Sequence, residues 1–144
     1  MAIQITLFGV ILAAGIVGAR WPHQARVPRL VSAAFLGAAG TVLTASGILA
    51  LGESLTPLPR PRGWAVLKQE GVYAKVRHPI YGGVLLMAFG WSLLSSPWAL
   101  IASGALAMLL AMKSRVEERW LGERYPDYPG YARRVRRRFV PYVW

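Results

Sequence analysis

Residues 71–83 read GVYAKVRHPIYGG, a basic and aromatic stretch at the start of an apolar run. Pro79 lacks an N–H group and has a fixed φ, so it suits the first turn of a helix. Arg77 and His78 then lie at the open N-terminal end of that helix. Unpaired backbone N–H groups and the helix dipole favour an anion at such an end, and the Arg77 guanidinium suits a carboxylate or a phosphate. The stretch therefore predicts an anion site.

Two aromatic rings flank this anion site. Tyr73 and Tyr81 belong to the same stretch, and the face of a tyrosine ring attracts a cation. We therefore expect the stretch to bind a ligand that carries both a negative and a positive charge.

Two apolar runs follow, Ile80–Ser95 and Trp98–Lys113, with only Ser96 and Pro97 between them. So short a break predicts a tight antiparallel hairpin of two helices. Because the helices are nearly equal in length, the start of the first and the end of the second meet at one membrane face. The Arg-His-Pro tripeptide then lies near the residues that follow Lys113.

Two further apolar runs precede the stretch, Ile3–Ala19 and Leu30–Leu51, each about long enough to cross a bilayer. The first lacks the basic start of a signal peptide, so we interpret it as a retained helix. The second has small residues at four-residue spacing, which favours close helix packing; they are Ala33, Gly37, Thr41 and Ala45. An extended proline-rich connector follows, with Pro57, Pro59 and Pro61. The polar segment Trp64–Val76 is then expected on the membrane surface.

Composition supports this membrane assignment. Of 144 residues, 55% are hydrophobic and 16% charged, and the mean hydropathy is +0.39, which is too apolar for an ordinary soluble domain. The net charge of +11 comes from Lys and Arg around the apolar runs, where they set topology, so we expect no nucleic-acid partner. The chain has no cysteine and only two histidines, which argues against thiolate chemistry and a metal site. His23, in a loop, is interpreted as solvated.

The basic residues also predict orientation. Five Lys or Arg residues lie between the second apolar run and the hairpin, and nine lie from Lys113 to the C-terminus, against three in the loop after the first run. The more basic face is cytoplasmic by the positive-inside rule. We thus predict an all-α integral membrane protein of about four transmembrane helices, with a C-terminal helical hairpin and a cytoplasmic C-terminal helical segment.

After Lys113 we predict a highly charged helix, Ser114–Arg124, which carries Glu117 and Glu118 among arginines. In one interpretation these glutamates pair with neighbouring arginines on a solvated helix face, each pair contributing a few tenths of a kcal/mol. In the other they close the site formed by the Arg-His-Pro stretch. A tyrosine-rich turn and the basic run Arg133–Arg138 follow, and we expect this tail to lie on anionic headgroups.

The C-terminal part of the chain carries a series of motifs in a defined order. They are Gly71-Val72-Tyr73, Arg77-His78-Pro79-Ile80-Tyr81-x-Gly83, Glu117-Glu118-x-x-Leu121, Tyr125, Tyr128, Tyr131 and Val140-Pro141. Their order and spacing resemble the isoprenylcysteine carboxyl methyltransferase and phospholipid methyltransferase families of integral membrane enzymes. The resemblance covers roughly the C-terminal 60% of the chain.

The resemblance implies methyl transfer from S-adenosylmethionine to a lipophilic or membrane-associated acceptor, which would be a carboxylate, a thiol or an amine. It implies that Arg115 faces the acceptor and that Arg115 and Glu118 are the catalytic residues, with Glu117 or Glu118 closing the pocket. An amine acceptor would need a general base, for which His78 and Glu118 are the candidates. The implied cofactor-binding residues are Gly71, Tyr73, Arg77, His78, Pro79, Tyr81, Glu117 and Glu118.

With this site, residues 1–144 are expected to form one membrane domain. Residues 1–56 would supply two N-terminal spans, and residues 57–144 the connector, the hairpin and the cofactor-site segment. The expected location is a plasma membrane, the bacterial inner membrane, with the site on the cytoplasmic face. The expected partners are membrane lipids and a lipophilic or lipidated substrate.

Two alternatives remain at this point. A small four-span transporter would fit the length and the number of apolar runs, but such proteins need an ionisable residue within the membrane, usually a glutamate. The four apolar runs contain no glutamate, and Glu53 lies beyond the second. A non-catalytic membrane scaffold would fit the composition but leaves the spacing of Arg-His-Pro and Glu-Glu unexplained.

Overall fold

The computed structural model describes residues 2–23, 26–52 and 66–142. Throughout these ranges the regular elements are helices, which confirms the all-α prediction. They are α1 Ala2–Val17, α2 Arg26–Leu51, a 3-10 helix Gly71–Ala74, α3 Pro79–Ser95, α4 Pro97–Arg124 and α5 Tyr128–Arg134.

The helix boundaries follow the prolines of the sequence. α3 begins at Pro79 and α4 at Pro97, as expected for residues that fit the first turn and have no N–H group to leave unpaired. Ser96 alone separates the two helices. α4 does not stop at Lys113 but continues to Arg124 as one helix of 28 residues. The predicted apolar run and the charged segment after it are thus a single element.

Among the residues that the structure describes, two helices are long and apolar enough to cross a membrane, α2 with 26 residues and α4 with 28. α1 has 16 residues and α3 has 17, so both are shorter than the roughly 20 residues that a full crossing needs. The structure therefore supports two of the four predicted spans, and the other two remain a prediction.

The chain divides into two compact units. The first consists of Met1–Thr41 and Val84–Leu109, and the second of Val42–Gly83 and Leu110–Trp144. The prediction of a single membrane domain remains a prediction. The proline-rich connector with Pro57, Pro59 and Pro61 lies outside the described residues, as does the start of the predicted surface segment Trp64–Val76.

In the first unit, α2 and α3 approach closely at small residues. A Cβ atom built on Gly90 would lie 3.0 Å from the carbonyl oxygen of Ala33 and 3.2 Å from the backbone nitrogen of Gly37. This contact confirms the predicted close packing at Ala33 and Gly37. Thr41 donates a hydrogen bond to the Gly37 carbonyl, and its hydroxyl lies 3.6 Å from the sulfur of Met87 in α3. Ala45 is exposed.

Buried serines fix the register of α3 against α4. The hydroxyls of Ser92 and Ser103 lie 2.9 Å apart, and both donate to the carbonyl oxygen of Ala88. Since an unpaired hydroxyl in an apolar interior costs free energy, this shared pattern favours one alignment of the two helices.

Candidate active site

The carboxylate of Glu118 is the centre of a charged cluster in the second unit. Its Oε1 atom lies 2.9 Å from Arg77 Nε and 3.1 Å from His78 Nε2. Its Oε2 atom lies 3.0 Å from Nη2 of Arg138. Forty residues separate His78 from Glu118, and the hairpin of α3 and α4 brings them together. This confirms the prediction that the Arg-His-Pro stretch meets the end of α4, and it contradicts the interpretation of Glu118 as part of a solvated helix face.

Glu117 lies near the second ring nitrogen of His78. The Tyr81 hydroxyl donates to Glu117 Oε2 at 2.8 Å, and the same oxygen lies 3.8 Å from Nδ1 of His78. The His78 ring thus faces Glu118 with one nitrogen and Glu117 with the other. Glu117 is the more accessible of the two carboxylates, since its side chain is 26% exposed and that of Glu118 14%.

The Tyr81 ring is in contact with the side chains of His78 and Lys113. His78 stacks on it with ring centroids 5.4 Å apart and planes within 2°, and Lys113 Nζ lies 5.3 Å from its centroid. We predicted that a tyrosine ring of this stretch attracts a cation. For Tyr81, the cation near the ring is the ammonium group of Lys113.

The hydrogen-bond partners of the Arg77 guanidinium are other groups of the protein. Besides Glu118, the guanidinium donates to the carbonyl oxygens of Ala132 at 3.2 Å and Val135 at 2.8 Å, and the Arg77 side chain is only 9% exposed. We predicted that Arg77 binds the carboxylate or phosphate of a ligand. In the structure, the carboxylate that it binds is that of Glu118 in α4. A guanidinium suits this role because its planar fork can serve several acceptors at once.

The prediction of an open anion site at the start of α3 is wrong in one respect. The backbone N–H groups of Arg77 and His78 donate to the carbonyl oxygens of Arg137 and Arg138 at 3.1 and 2.7 Å. The C-terminal segment thus occupies this end of the helix. The spacing of the tripeptide could not indicate this contact, because the partners lie sixty residues further along the chain.

The remaining predicted site residues have different environments. Gly71 has a φ of 60° and begins the 3-10 helix, a conformation that favours glycine. Tyr73 is 7% exposed, and its carbonyl accepts a hydrogen bond from the Tyr131 hydroxyl. Pro79 is buried at the start of α3. Arg115 is exposed, and the ion pairs found among the described residues do not include it.

A tyrosine cluster supports α5 beside the site. Tyr128, Tyr131 and Val135 form its buried core. Burial raises the pKa of Tyr131 to about 12 and moves the pKa values of Tyr73 and Tyr128 upward too, so these phenols keep their protons at neutral pH. Within the described part of the chain, the buried Tyr128 hydroxyl has no hydrogen-bond partner. A buried polar atom of this kind is a donor available to a ligand or a water molecule.

Three residues of the site were not singled out from the sequence. The first is Arg138, which the sequence shows only as part of a basic run. The second is its neighbour Phe139, which is fully buried and whose ring centroid lies 6.0 Å from that of His78. The third is Gly82, which lies against the backbone of Phe139. A Cβ atom on Gly82 would overlap the carbonyl group of Phe139. The signals in the sequence were an aromatic residue that ends a basic run and the glycine pair in α3.

The site can be compared with known proteins. A comparison with protein families matches residues 28–128 to the family described as phospholipid methyltransferase. The matched range contains the Arg-His-Pro stretch and both glutamates, but it ends before Arg138. A search of curated proteins finds no match. Because the family match covers more than half of the chain, the protein belongs to the phospholipid methyltransferase family.

Proposed function

We propose that the protein transfers a methyl group from S-adenosylmethionine to a lipophilic or membrane-associated acceptor. The observation that carries this proposal is the cluster of His78, Tyr81, Glu117 and Glu118, because it lies within the range matched to a methyltransferase family. The family match favours this function over the transporter and the scaffold.

The described side chains fit the cationic part of S-adenosylmethionine. When bound, that molecule supplies an electrophilic methyl group on a positively charged sulfur. Glu117 offers a partly exposed carboxylate, and a carboxylate stabilises a neighbouring positive charge. The Tyr128 hydroxyl adds an unpaired buried donor in the same unit.

Arg77 has a different role in this proposal from the one that the resemblance implied. Its guanidinium is already bonded to Glu118 and to backbone carbonyls, so it would hold Glu118 in place and leave the cofactor carboxylate to another cation. Lys113, beside the Tyr81 ring, is our choice for that contact. Gly71, Tyr73 and Pro79 would form the wall of the pocket.

The acceptor would approach from the side of Arg115. This residue is exposed on α4, about one turn before Glu118. Methyl transfer to a carboxylate or a thiolate needs no general base, and the site then has to align the reactants and exclude water. An amine acceptor would have to lose a proton, for which His78, between the two glutamates, is the better placed base.

The proposal is tested with purified membranes that contain the protein and methyl-labelled S-adenosylmethionine. We expect label in the lipid fraction, at least about tenfold less with Glu117→Gln, and unchanged labelling with Glu123→Gln, an exposed glutamate of the same helix. Release of the label by mild base would identify a methyl ester, whereas retention would identify a thioether or an amine. If the wild type transfers no label to any lipid or lipidated acceptor, or if both variants behave alike, the proposal fails.

A further inference from the structure

Residues 137–139, which we call the clasp, lie across the start of α3. Two carbonyl oxygens of the clasp accept the backbone N–H groups of Arg77 and His78. Its last residue, Phe139, is completely buried and lies 6.0 Å from the His78 ring. The clasp follows the range matched to the methyltransferase family, which ends at residue 128. The family match therefore assigns no role to it.

The clasp fits against α3 only because residue 82 has no side chain. A Cβ atom on Gly82 would overlap the carbonyl group of Phe139. The contact is with backbone atoms, which cannot move aside as the end of a flexible side chain can. The position of the clasp is therefore fixed by the helix, and with it the direction in which the side chain of Arg138 leaves the backbone.

Three consecutive arginines of this region differ in their surroundings. Arg136 and Arg137 are exposed, whereas the Nη2 atom of Arg138 lies 3.0 Å from Oε2 of Glu118. Arg77 and His78 both bind Oε1 of the same carboxylate. Among the described residues Arg138 is the ion-pair partner of Oε2, so its loss would leave the carboxylate held through one oxygen and able to rotate.

We propose that Arg138 is a positioning residue which fixes the orientation of the Glu118 carboxylate for ligand binding. This inference rests on the proposed function, because it assumes that Glu118 acts in a site for S-adenosylmethionine. Arg138 does not itself touch the ligand in this account. Its effect passes through Glu118, and the backbone of the clasp supplies the fixed point from which it acts.

The test measures the affinity for S-adenosylhomocysteine by calorimetry in detergent, together with the melting temperature of each variant. We expect Arg138→Gln to bind at least about tenfold more weakly, as for a lost hydrogen bond to a charged group. Arg138→Lys should restore most of the affinity because it restores the charge. Arg137→Gln is the matched control, since it removes the same charge from an exposed side chain and keeps the backbone bond to Arg77.

A second comparison shows whether the effect passes through Glu118. In a Glu118→Gln background, adding Arg138→Gln should cause little further loss, because the group that it positions is already changed. If Arg138→Gln binds as well as Arg137→Gln, if Lys gives no rescue, or if the two losses add fully, the inference is overturned while the proposed function stands. If the wild type does not bind S-adenosylhomocysteine, the proposed function and this inference fail together.

Discussion

Arg77 connects α4 to the C-terminal part of the chain through a single guanidinium. It bonds to Glu118 and to the carbonyls of Ala132 and Val135. A lysine in its place has the charge but not the planar fork, and it cannot serve all of these acceptors. We therefore expect Arg77→Lys to lower the free energy of unfolding by about 1–3 kcal/mol. Thermal denaturation in detergent measures this change.

The control for Arg77→Lys is Arg119→Lys, an exposed arginine of α4 for which we expect little effect. A variant Arg77→Lys that is as stable as the wild type but no longer binds S-adenosylhomocysteine would show that Arg77 contacts the ligand directly, contrary to our account.

Tyr131 should make the free energy of unfolding depend on pH in the alkaline range. Burial raises its pKa from 10 to about 12, and the protonated hydroxyl donates to the carbonyl of Tyr73. The folded state holds this proton more tightly than the unfolded state, so the stabilisation is complete below pH 10 and is lost as the pH rises through 12. The stability difference between the wild type and Tyr131→Phe should therefore shrink over this range.

Melting temperatures between pH 8 and pH 12 provide the measurement for Tyr131. Tyr142→Phe is the control, because it removes the hydroxyl of a tyrosine that is 83% exposed. A difference between the wild type and Tyr131→Phe that stays constant up to pH 12 would contradict the assigned hydrogen bond.

At the scale of helices, Gly82 decides whether the clasp can lie on α3. Alanine is a better helix former than glycine by up to about 1 kcal/mol, yet at this position its Cβ atom would meet the Phe139 carbonyl. Gly104 in α4 is the matched control, because a Cβ atom there has no neighbour within 4 Å. We expect Gly82→Ala to lower the melting temperature and Gly104→Ala to leave it unchanged or raise it. Equal effects of the two substitutions would show that the clasp is not seated as described.

The sequence predicted the helices better than the contacts between them. Pro79 and Pro97 mark the starts of α3 and α4 because proline restricts the backbone locally. The meeting of His78 with Glu118 was predictable too, since two apolar runs of similar length, joined by a short break, return the chain to its starting face.

The capping of α3 by the clasp was not predictable. It depends on hydrogen bonds between residues sixty positions apart, and no local pattern encodes such pairs. The ion pair of Arg138 with Glu118 was not predictable either. The aromatic Phe139 after the basic run marks the position, but it does not indicate the partner.

For the whole molecule, the distribution of Lys and Arg predicts that both termini and the segment before α3 face the cytoplasm. The chain has no cysteine, so single cysteines can report the topology without background. Glu70→Cys and Tyr142→Cys should react with an impermeant thiol reagent from the inside, and Trp98→Cys from the outside. All three positions are exposed. Reaction of Trp98→Cys and Glu70→Cys from the same side would contradict a membrane-crossing α3.

We propose that His78 and Glu118, brought together by the hairpin, act as one site for S-adenosylmethionine. Calorimetric titration of S-adenosylhomocysteine into the wild type, His78→Ala, Glu118→Gln and the double variant tests this proposal. We expect micromolar binding by the wild type and a strong loss in each single variant. We also expect a loss in the double variant that is smaller than the sum of the two in free energy, because both groups serve one ligand. No binding by the wild type at millimolar ligand, or single losses that add fully, would contradict the proposal.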